Sequence, residues 1–390
     1  MAILEVIFWI CTAIVLYAYV GYAVILAIVA KLRRREPRRV AGHTASVSFV
    51  LCGHNEEERI GDRIAELTAM LTASGIEGEV IVVSDGSTDH TASIARQVAG
   101  ANVHVIELPH REGKAAALSA GCAEAQNEIL IFADCRQRWD SAAVRMLLEN
   151  FADPTIGAVS GDLVLEWAPG VMAAMGFYWR YEKWLRKKES QLHSTVGVTG
   201  AICAVRRSLF PGVPAGMILD DVYWPLYLTV QGQRVVHDKR AIAYDKLPER
   251  TSDEFRRKVR TLAGNFQLAV RLPQALLPWR NPVWLQFVSH KLLRLVVPWA
   301  LLAMLATSAI LPGSLYQAMF LGQVGFYALA LIGNNRVVAR QLRPAAAATS
   351  VVVLNAAAWM AFWVWITGRT SHSWGKVKYK GAILDRLQAR

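Results

Sequence analysis

The sequence has few cysteines, and no two of them form a CxxC pair. Five cysteines are scattered along 390 residues, at Cys11, Cys52, Cys122, Cys135 and Cys203. An odd, widely spaced set excludes a disulfide framework and a zinc site built on cysteine pairs. We expect single, reduced and mostly buried thiols.

Acidic residues are also in deficit. The 31 Asp and Glu residues face 43 Lys and Arg residues, which leaves a net charge of +12. Such an excess suits an anionic lipid surface or an anionic substrate such as a nucleotide diphosphate. The basic residues cluster beside apolar segments and no nucleic-acid motif accompanies them, so nucleic acid is not an expected partner.

What the chain has in abundance is apolar sequence near its two ends. The run Val6 to Ala30 is long enough to span a bilayer. Glu5 precedes it and the basic stretch Lys31–Arg39 follows it, whereas a cleaved signal peptide has a basic start and a shorter apolar core. We therefore predict an uncleaved transmembrane anchor over 1–30 with its N-terminus outside, then a basic cytoplasmic linker over 31–45.

The middle of the chain, 46–270, has the sequence pattern of an α/β domain. Short apolar runs predict strands at Val47–Leu51, Val80–Val83, Val103–Glu107 and Ile129–Phe132. Between them, helical patterns occupy Glu57–Thr72 and His90–Val98. This alternation predicts a mostly parallel sheet with helices on both faces, in which ligands bind at the carboxyl ends of the strands.

The last third predicts membrane contact again. An interfacial amphipathic segment is expected over 271–291, three transmembrane helices over 292–367 and a basic tail over 368–390. The three predicted spans are Leu292–Leu311, Leu315–Ile332 and Ala345–Thr367. Four spans that start outside would leave the tail outside, yet its lysines and arginines favour the inside. The sequence does not decide on which side of the membrane the tail lies.

A segment in the middle of the chain, Phe177–Lys188, also mixes aromatic and basic residues. This pattern is typical of a helix at a membrane interface, and ordinary packing within the domain is the alternative interpretation.

Polar residues follow the predicted strands. Asp85 ends the second strand, where a carboxylate can hydrogen-bond a nucleoside, or simply belong to a helix-capping turn. Lys114 stands at a helix start, a position that favours phosphate, although a surface lysine is the plainer interpretation. Asp134 ends a buried strand.

Two charged groups lie further along. Asp220 and Asp221 are adjacent carboxylates, whose repulsion raises one pKa and suits a general base; the alternative is an ordinary helix N-terminus. The basic stretch Arg256–Arg260 suits a departing diphosphate, or else a solvated helix face or a lipid contact.

Taken in order, these pieces resemble the family 2 inverting glycosyltransferases, in the membrane-integral branch near the cellulose, hyaluronan, chitin-oligosaccharide and poly-N-acetylglucosamine synthases. The resemblance covers roughly Ser46 to Gln267. The matching pieces are His54–Glu57, Asp85–Asp89, Gly113–Ala115, Asp134, Gly200–Ala201, Leu219–Asp221 and Arg257–Arg260. The resemblance implies a GT-A fold, a Rossmann-like nucleotide-sugar-binding α/β domain between transmembrane helices, and usually a UDP-sugar donor.

The resemblance also implies residue roles. The first-strand loop and Asp85 hold uridine, and Asp134 touches the diphosphate and its divalent ion. The implied donor-binding residues are Asn55, Glu56, Asp85, Lys114, Asp134, Arg257 and Arg260. Asp221, beside Asp220, matches the carboxylate that acts as base. The implied acceptor-binding residues are Gly200, Ala201 and Trp224, the last as one of several neighbouring aromatics that could stack on a sugar.

Two positions depart from the family pattern. Arg136 replaces the second Asp of the metal-binding Asp-x-Asp element, so the Mg²⁺ or Mn²⁺ that the family implies needs a test. Either Asp134 holds the ion with waters and phosphate oxygens, or Arg136 takes over part of the neutralising role. Thr261 replaces the Trp of the Gln-x-x-Arg-Trp element, which stacks on the acceptor sugar in processive synthases.

Three functions remain open at this point. The first is a polysaccharide synthase, of exopolysaccharide or capsule type, that extends a saccharide from a nucleotide sugar. The second is the same chemistry used once on a polyprenyl-linked acceptor. The third is a membrane sensor of nucleotide sugars without catalysis. The resemblance places the chain in a bacterial inner membrane with a cytoplasmic catalytic domain. The sequence identifies no export partner.

Overall fold

The computed structural model describes residues 1–166, 173–246, 251–335, 338 and 341–368. At its centre is an eight-stranded sheet in the order β3-β2-β1-β4-β7-β6-β8-β5. The strands are β1 Val47–Gly53, β2 Gly78–Asp85, β3 Val103–Leu108, β4 Ile129–Ala133, β5 Arg138–Trp139, β6 Ile156–Glu166, β7 Ile202–Arg206 and β8 Arg234–Lys246.

The sheet has a parallel half and a mixed half. Strand β1 runs parallel to β2 and β4, and β2 runs parallel to β3. Strand β7 is antiparallel to both β4 and β6, β8 is parallel to β6, and β5 is antiparallel to β8. The predicted parallel arrangement is therefore right for the first four strands, and the mixed second half was not predicted.

Helices cover both faces of the sheet and continue into the apolar segments. They are α1 Ala2–Leu32, α2 Ile60–Ser74, α3 Thr91–Gln97, α4 Lys114–Glu124, α5 Ala143–Leu148, α6 Ala173–Leu192, α7 Asp220–Val230, α8 Thr251–Arg271, α9 Trp284–Ile310, α10 Ser314–Gly333 and α11 Arg343–Ile366. Apolar side chains of α2 and α5 pack on one face of the sheet, and those of α4 and α7 pack on the other.

Sequence spacing explains how these helices seat on the sheet. In α2 the buried side chains Ile60, Ile64, Leu67 and Leu71 recur at helical intervals and form one stripe. Helix α4 needs a glycine at its closest approach, because a Cβ at Gly121 would lie 2.6 Å from Val50 Cγ1. The backbone of α4 thus lies directly on the sheet, which fixes the height of Lys114 at its first turn.

Four helices in the described part of the chain, α1, α9, α10 and α11, are long and apolar enough to cross a membrane. Each contains or overlaps one of the four predicted spans. Helix α9 begins at Trp284 rather than at the predicted Leu292, so the latter part of the predicted interfacial segment belongs to this helix. The stretch before it contains only a short helical turn at Pro273–Leu276. The basic tail after Gly368 lies outside the described residues.

Two helices connect the α/β domain to these apolar helices. Helix α8 packs on α11, where Ala263 meets Ala357 and Ala361, and Phe266 stacks on Trp365 with ring centroids 5.1 Å apart. Helix α6 joins α1 and α9 through two carboxylates, since Glu189 bonds Tyr22 and His290, and Glu182 bonds His290. The domain is therefore held against the apolar helices by two separate elements.

Candidate active site

The acidic pair begins helix α7. Asp220 and Asp221 are its first two residues, and Leu219 before them is buried. Burial is the main cause that raises the pKa of Asp221 to about 6, Asp220 adds to the rise, and Lys114 opposes it. Asp221 is thus a carboxylate that is largely ionised at neutral pH and basic enough to accept a proton.

The loop before β7 wraps around Asp221. The backbone N–H of Val198 donates to the Asp221 carbonyl oxygen at 2.8 Å. A Cβ at Gly200 would lie 3.4 Å from Lys114 Nζ and 3.6 Å from Asp221 Cβ. Trp139 Nε1 donates to the Ala201 carbonyl oxygen at 3.2 Å, which holds the loop from the other side. Gly200 therefore lies between Asp221 and Lys114, and its contact with an acceptor stays a prediction.

Lys114 and Asp134 form the second part of the site. Lys114 Nζ donates to Asp134 Oδ1 at 2.9 Å, and both side chains are only partly exposed. Burial disfavours the ammonium charge, but Asp134, Asp220 and Asp221 together outweigh it and raise the pKa of Lys114. A lysine that is charged at any physiological pH thus stands among three carboxylates.

Arg260 approaches the acidic pair from helix α8. Burial lowers the pKa of its guanidinium, against the carboxylates of Asp220 and Asp221, and Arg111 lowers it further. Helix α8 comes close to α7, since a Cβ at Gly264 would lie 2.7 Å from Leu219 Cγ. Arg257, the other predicted diphosphate contact on this helix, has an exposed side chain.

The predicted nucleoside residues lie at the ends of β1 and β2. Asn55 has a positive φ of 56° and donates its backbone N–H to Ser87 Oγ at 3.0 Å, while its Oδ1 accepts from the Thr88 N–H at 2.7 Å. Glu56 donates its backbone N–H to Thr91 Oγ1 at 2.7 Å. The two polar loops that the sequence singled out therefore hold each other in place.

Asp85 has a structural task at this edge of the sheet. Its buried carboxylate accepts hydrogen bonds from the backbone N–H groups of Glu112 and Gly113, the shortest at 2.7 Å. These are the residues directly before Lys114. A contact of Asp85 with a nucleoside stays a prediction, whereas the link through which it positions the lysine is present in the structure.

One predicted acceptor residue needs correction. Trp224 is only 1 % exposed and packs edge-to-face against Phe132 and Phe210, on the face of the sheet that α4 and α7 cover. It lies nearly one helical turn after Asp221, about 4–5 Å further along α7, and thus within the core. The prediction that Trp224 stacks on the acceptor sugar is wrong for this conformation.

The residue in the second metal position also has another partner. Arg136 donates from Nε and from a terminal nitrogen to the two carboxylate oxygens of Asp245, at 2.9 and 2.6 Å. Gln137 Nε2 donates to the same carboxylate at 3.0 Å. Arg136 therefore ties the start of β5 to β8, and this pairing does not support the idea that Arg136 neutralises the donor.

The residues present fit a divalent ion that is bound in one way only, through a single carboxylate and substrate oxygens. Asp134 is partly exposed and offers one carboxylate, while no group of three His, Cys, Asp or Glu side chains in the described ranges could hold a metal ion. Mg²⁺ commonly binds through one or two carboxylates plus substrate phosphates, and this donor set suits that mode rather than an all-protein cage.

Two cations near Asp221 were not found from the sequence. Arg186 of α6 and Lys291 of α9 both act to lower the pKa of Asp221. Arg186 and Lys291 lie within the two aromatic and basic stretches that the sequence interpreted as membrane-interface helices. Their proximity to Asp221 depends on long-range packing and leaves no local signal.

Part of this chain is similar to known glycosyltransferases. Residues 48–211 match the family model described as Glycosyl transferase family 2. Poly-beta-1,6-N-acetyl-D-glucosamine synthase of Staphylococcus aureus (strain COL) is 24 % identical over 234 residues, which are 58 % of this chain and 56 % of that protein. The Staphylococcus epidermidis protein of the same name is 25 % identical over 249 residues, 62 % of this chain and 58 % of its own length. The chain thus matches little more than half of each relative.

Among solved structures, the mannosyltransferase PcManGT from Pyrobaculum calidifontis, in complex with GDP-Man and Mn²⁺, superposes with a TM-score of 0.69. The alignment covers 93 % of this chain and 99 % of that one at 22 % identity, so it shows a shared fold. All five cysteines are free thiols, and three of them are buried. Residues 48–211 are therefore similar to family 2 glycosyltransferases, and the chain has a GT-A fold joined to helices apolar enough to span a membrane.

Proposed function

We propose that the chain is a membrane-bound inverting glycosyltransferase that extends a saccharide with sugar from a nucleotide-sugar donor, as a polysaccharide synthase does. The observation that carries this proposal is the meeting of Asp221, Lys114 and Gly200 at one point, with Arg260 approaching from α8. The staphylococcal relatives are named poly-beta-1,6-N-acetyl-D-glucosamine synthases, which supports a polymer as product. A UDP-sugar donor is what the family resemblance implies.

The chemistry follows from the charges. Asp221 accepts the proton of the acceptor hydroxyl, and the oxygen attacks the anomeric carbon of the donor. The bond from that carbon to the diphosphate oxygen breaks, and the nucleoside diphosphate leaves with the electron pair. A single displacement inverts the anomeric configuration, and Asp221 returns its proton to solvent.

Lys114 and Arg260 have the task of stabilising the departing diphosphate. Both are fixed cations beside the acidic pair, so their charges need no rearrangement when negative charge develops. A Mg²⁺ or Mn²⁺ ion held by Asp134 and the phosphate oxygens would neutralise further charge on the diphosphate. Asn55, Glu56 and Asp85 belong to the loops that would receive the nucleoside.

The membrane setting supports extension of a product that stays at the bilayer. The basic linker after α1 favours a cytoplasmic catalytic domain and, in a bacterium, the inner membrane. Transfer of one sugar to a polyprenyl-linked acceptor is the second candidate. It is favoured by Thr261, which replaces the stacking Trp, and by the burial of Trp224, which removes one substitute.

The test is nucleotide release by the detergent-purified full chain, with a panel of UDP- and GDP-sugars, followed by sizing of the product. A chain product from one donor supports the synthase. Release only with an added lipid-linked acceptor, giving a product one sugar longer, supports single addition. Nucleotide binding without turnover for any donor and acceptor would exclude both the synthase and the single-addition transferase, and would favour a sensor.

A further inference from the structure

One side of helix α6 is fastened to the apolar helices. Its contacting side chains are Glu182, Leu185 and Glu189, which recur at intervals of three and four residues. Glu189 accepts a hydrogen bond from the Tyr22 hydroxyl of α1 at 2.7 Å, and Leu185 is fully buried against the same tyrosine. His290 of α9 bonds Glu189 at 2.7 Å and Glu182 at 2.9 Å, with one ring nitrogen to each. The position of α6 is therefore set by α1 and α9.

An adjacent stripe of the same helix faces the sheet. Its members are Lys183, Arg186 and Ser190, again at intervals of three and four residues. Lys183 pairs with Asp162 of β6 at 2.7 Å. Ser190 Oγ accepts a hydrogen bond from the backbone N–H of His237 in β8 at 2.8 Å. Because a helix turns by about 100° per residue, this stripe lies beside the first one, and α6 connects α1 and α9 to two strands of the sheet.

Arg186, in the middle of the second stripe, bonds a loop of the candidate active site. A terminal nitrogen of Arg186 donates to Thr199 Oγ1 at 3.1 Å. The backbone N–H of Thr199 donates to Ser160 Oγ of β6 at 3.0 Å, so this residue is held at both its side chain and its main chain. Arg186 and Thr199 are half-buried, which shields their hydrogen bond from bulk water. Arg186 therefore fixes the orientation of Thr199.

Thr199 lies between the two contacts that Asp221 makes with this loop. Val198, directly before Thr199, donates its backbone N–H to the Asp221 carbonyl oxygen at 2.8 Å. Gly200, directly after Thr199, lies where a Cβ would be 3.6 Å from Asp221 Cβ. A rotation of Thr199 would therefore shift Gly200 relative to Asp221.

We propose that Arg186 is a positioning residue, which holds Thr199 so that the loop 198–201 keeps its place against Asp221. Through α6, the packing of α1 and α9 then determines where this loop lies. The proposal rests on the proposed function, because it takes Asp221 as the base and Gly200 as an acceptor contact. Arg186 acts here through its hydrogen bond to the Thr199 hydroxyl. Loss of that bond should therefore impair transfer to an acceptor and spare donor binding.

The first experiment needs no substrate. Hydrogen exchange of the full chain in nanodiscs is followed for peptides that cover 198–202, where the backbone N–H groups of Val198, Thr199 and Ile202 are hydrogen-bonded. Lys187→Gln is the matched control, because Lys187 is an exposed cation on the same helix. Arg186→Gln and Thr199→Val should each raise the exchange rate about tenfold, as loss of one hydrogen bond does, and the control should not. The melting temperature of each variant is measured in parallel.

The second experiment measures transfer from UDP-N-acetylglucosamine to a β-1,6-linked N-acetylglucosamine tetrasaccharide, a pair chosen from the name of the staphylococcal relatives, unless the panel of donors selects another pair. Arg186→Gln and Thr199→Val should each lower kcat/KM for the acceptor about 10- to 100-fold, since small misplacements of a reacting group cost this much, and leave the donor KM unchanged. The double variant should be no worse than Arg186→Gln alone, because both changes remove the same contact. Arg186→Lys and Thr199→Ser, which keep a donor and a hydroxyl, should recover part of the rate.

Two results would overturn the positioning role. One is hydrogen exchange of the loop that Arg186→Gln leaves unchanged. The other is an effect that does not pass through Thr199, seen as full activity of Thr199→Val or as losses that multiply in the double variant. The proposed function fails by a different observation. If the loop exchanges faster as expected while no donor and acceptor release nucleotide, the hold of Arg186 on the loop remains and the transferase role is lost.

Discussion

The pH dependence of turnover distinguishes the two carboxylates at the start of α7. Asp221 has a pKa raised to about 6, chiefly by burial and then by Asp220. As a base it works only when ionised, so activity must fall as the pH drops through that value. Replacing Asp220 by Asn removes the neighbouring negative charge, which lowers the pKa of Asp221 and moves the acid limb to lower pH. Replacing Asp221 by Asn removes the base.

The size of the effect can be worked out. A carboxylate with a pKa of about 6 is about nine-tenths ionised at pH 7 and about one-tenth ionised at pH 5, so turnover should fall roughly tenfold between them. An aspartate with the ordinary pKa of about 3.9 would lose less than about a tenth of its activity over the same interval. Loss of a general base costs about 10²- to 10⁴-fold in rate, which is the drop expected for Asp221→Asn.

The assay is nucleotide release at subsaturating acceptor between pH 5 and pH 8, since this condition reports groups of the free enzyme. Enzyme held at pH 5 and returned to pH 7 must regain full activity, which excludes acid unfolding as the cause. The reasoning is refuted if activity is level down to pH 5. It is equally refuted if Asp220→Asn abolishes turnover while Asp221→Asn leaves it intact.

Three further predictions concern structure and metal. Arg136→Ala should lower the free energy of unfolding, and with it the melting temperature. The loss should be smaller than the ~3–5 kcal/mol of a fully buried pair, because Arg136 is about one-third exposed. Adding Asp245→Ala should restore part of the stability, and an unchanged melting temperature in Arg136→Ala would contradict the pairing. A chelator should stop nucleotide release, and added Mg²⁺ or Mn²⁺ should restore it. Asp134→Asn should need a higher metal concentration for half-maximal activity. Full activity in the presence of chelator would exclude a required ion at Asp134. Trp224→Leu should lower the free energy of unfolding by about 2–4 kcal/mol, as truncations in a core do, and should leave the acceptor KM unchanged. A raised acceptor KM with unchanged stability would show that Trp224 contacts the acceptor.

The sequence predicted the first half of the sheet well because its strands are unmixed apolar runs. Strand β1 is buried along its whole length, which is the pattern of a central parallel strand. Strand β8 reads Arg-Val-Val-His-Asp-Lys-Arg-Ala-Ile-Ala-Tyr and mixes charges with apolar residues. Its charges are satisfied by distant partners, as when Asp238 pairs with Arg39 of the linker at 3.2 Å and Arg240 pairs with Glu149 at 2.8 Å. Such pairing leaves no periodic signal.

The site was predictable as a set of positions but not as a set of contacts. The spacing of Asp85, Lys114 and Asp134 along the chain follows the strand ends, and the sheet brings those ends together. The direction of a side chain is a different matter. Arg136 follows Asp134 by two residues, yet it points to Asp245, more than a hundred residues further on.

The start of helix α9 also depends on contacts that the local sequence does not reveal. His290 and Lys291 made the sequence before Leu292 look interfacial, and the apolar span was predicted to begin after them. In the structure His290 is buried between two glutamates of α6, so a polar residue inside an apolar helix is fully compensated. The compensation comes from a segment about a hundred residues away, and only the folded chain reveals it.

Two separate contacts with the apolar helices position cations near Asp221. Helix α8 packs on α11 and brings Arg260 close to the acidic pair. Helix α6 is bonded to α1 and α9, and its Arg186 donates to Thr199, next to Gly200. With Arg260 in the proposed role of stabilising the diphosphate, loosening the α8 contact, for instance with Ala357→Leu at the buried crossing, should weaken donor binding and spare acceptor binding. Equal loss of both in a folded protein would mean that the two sides move as one unit.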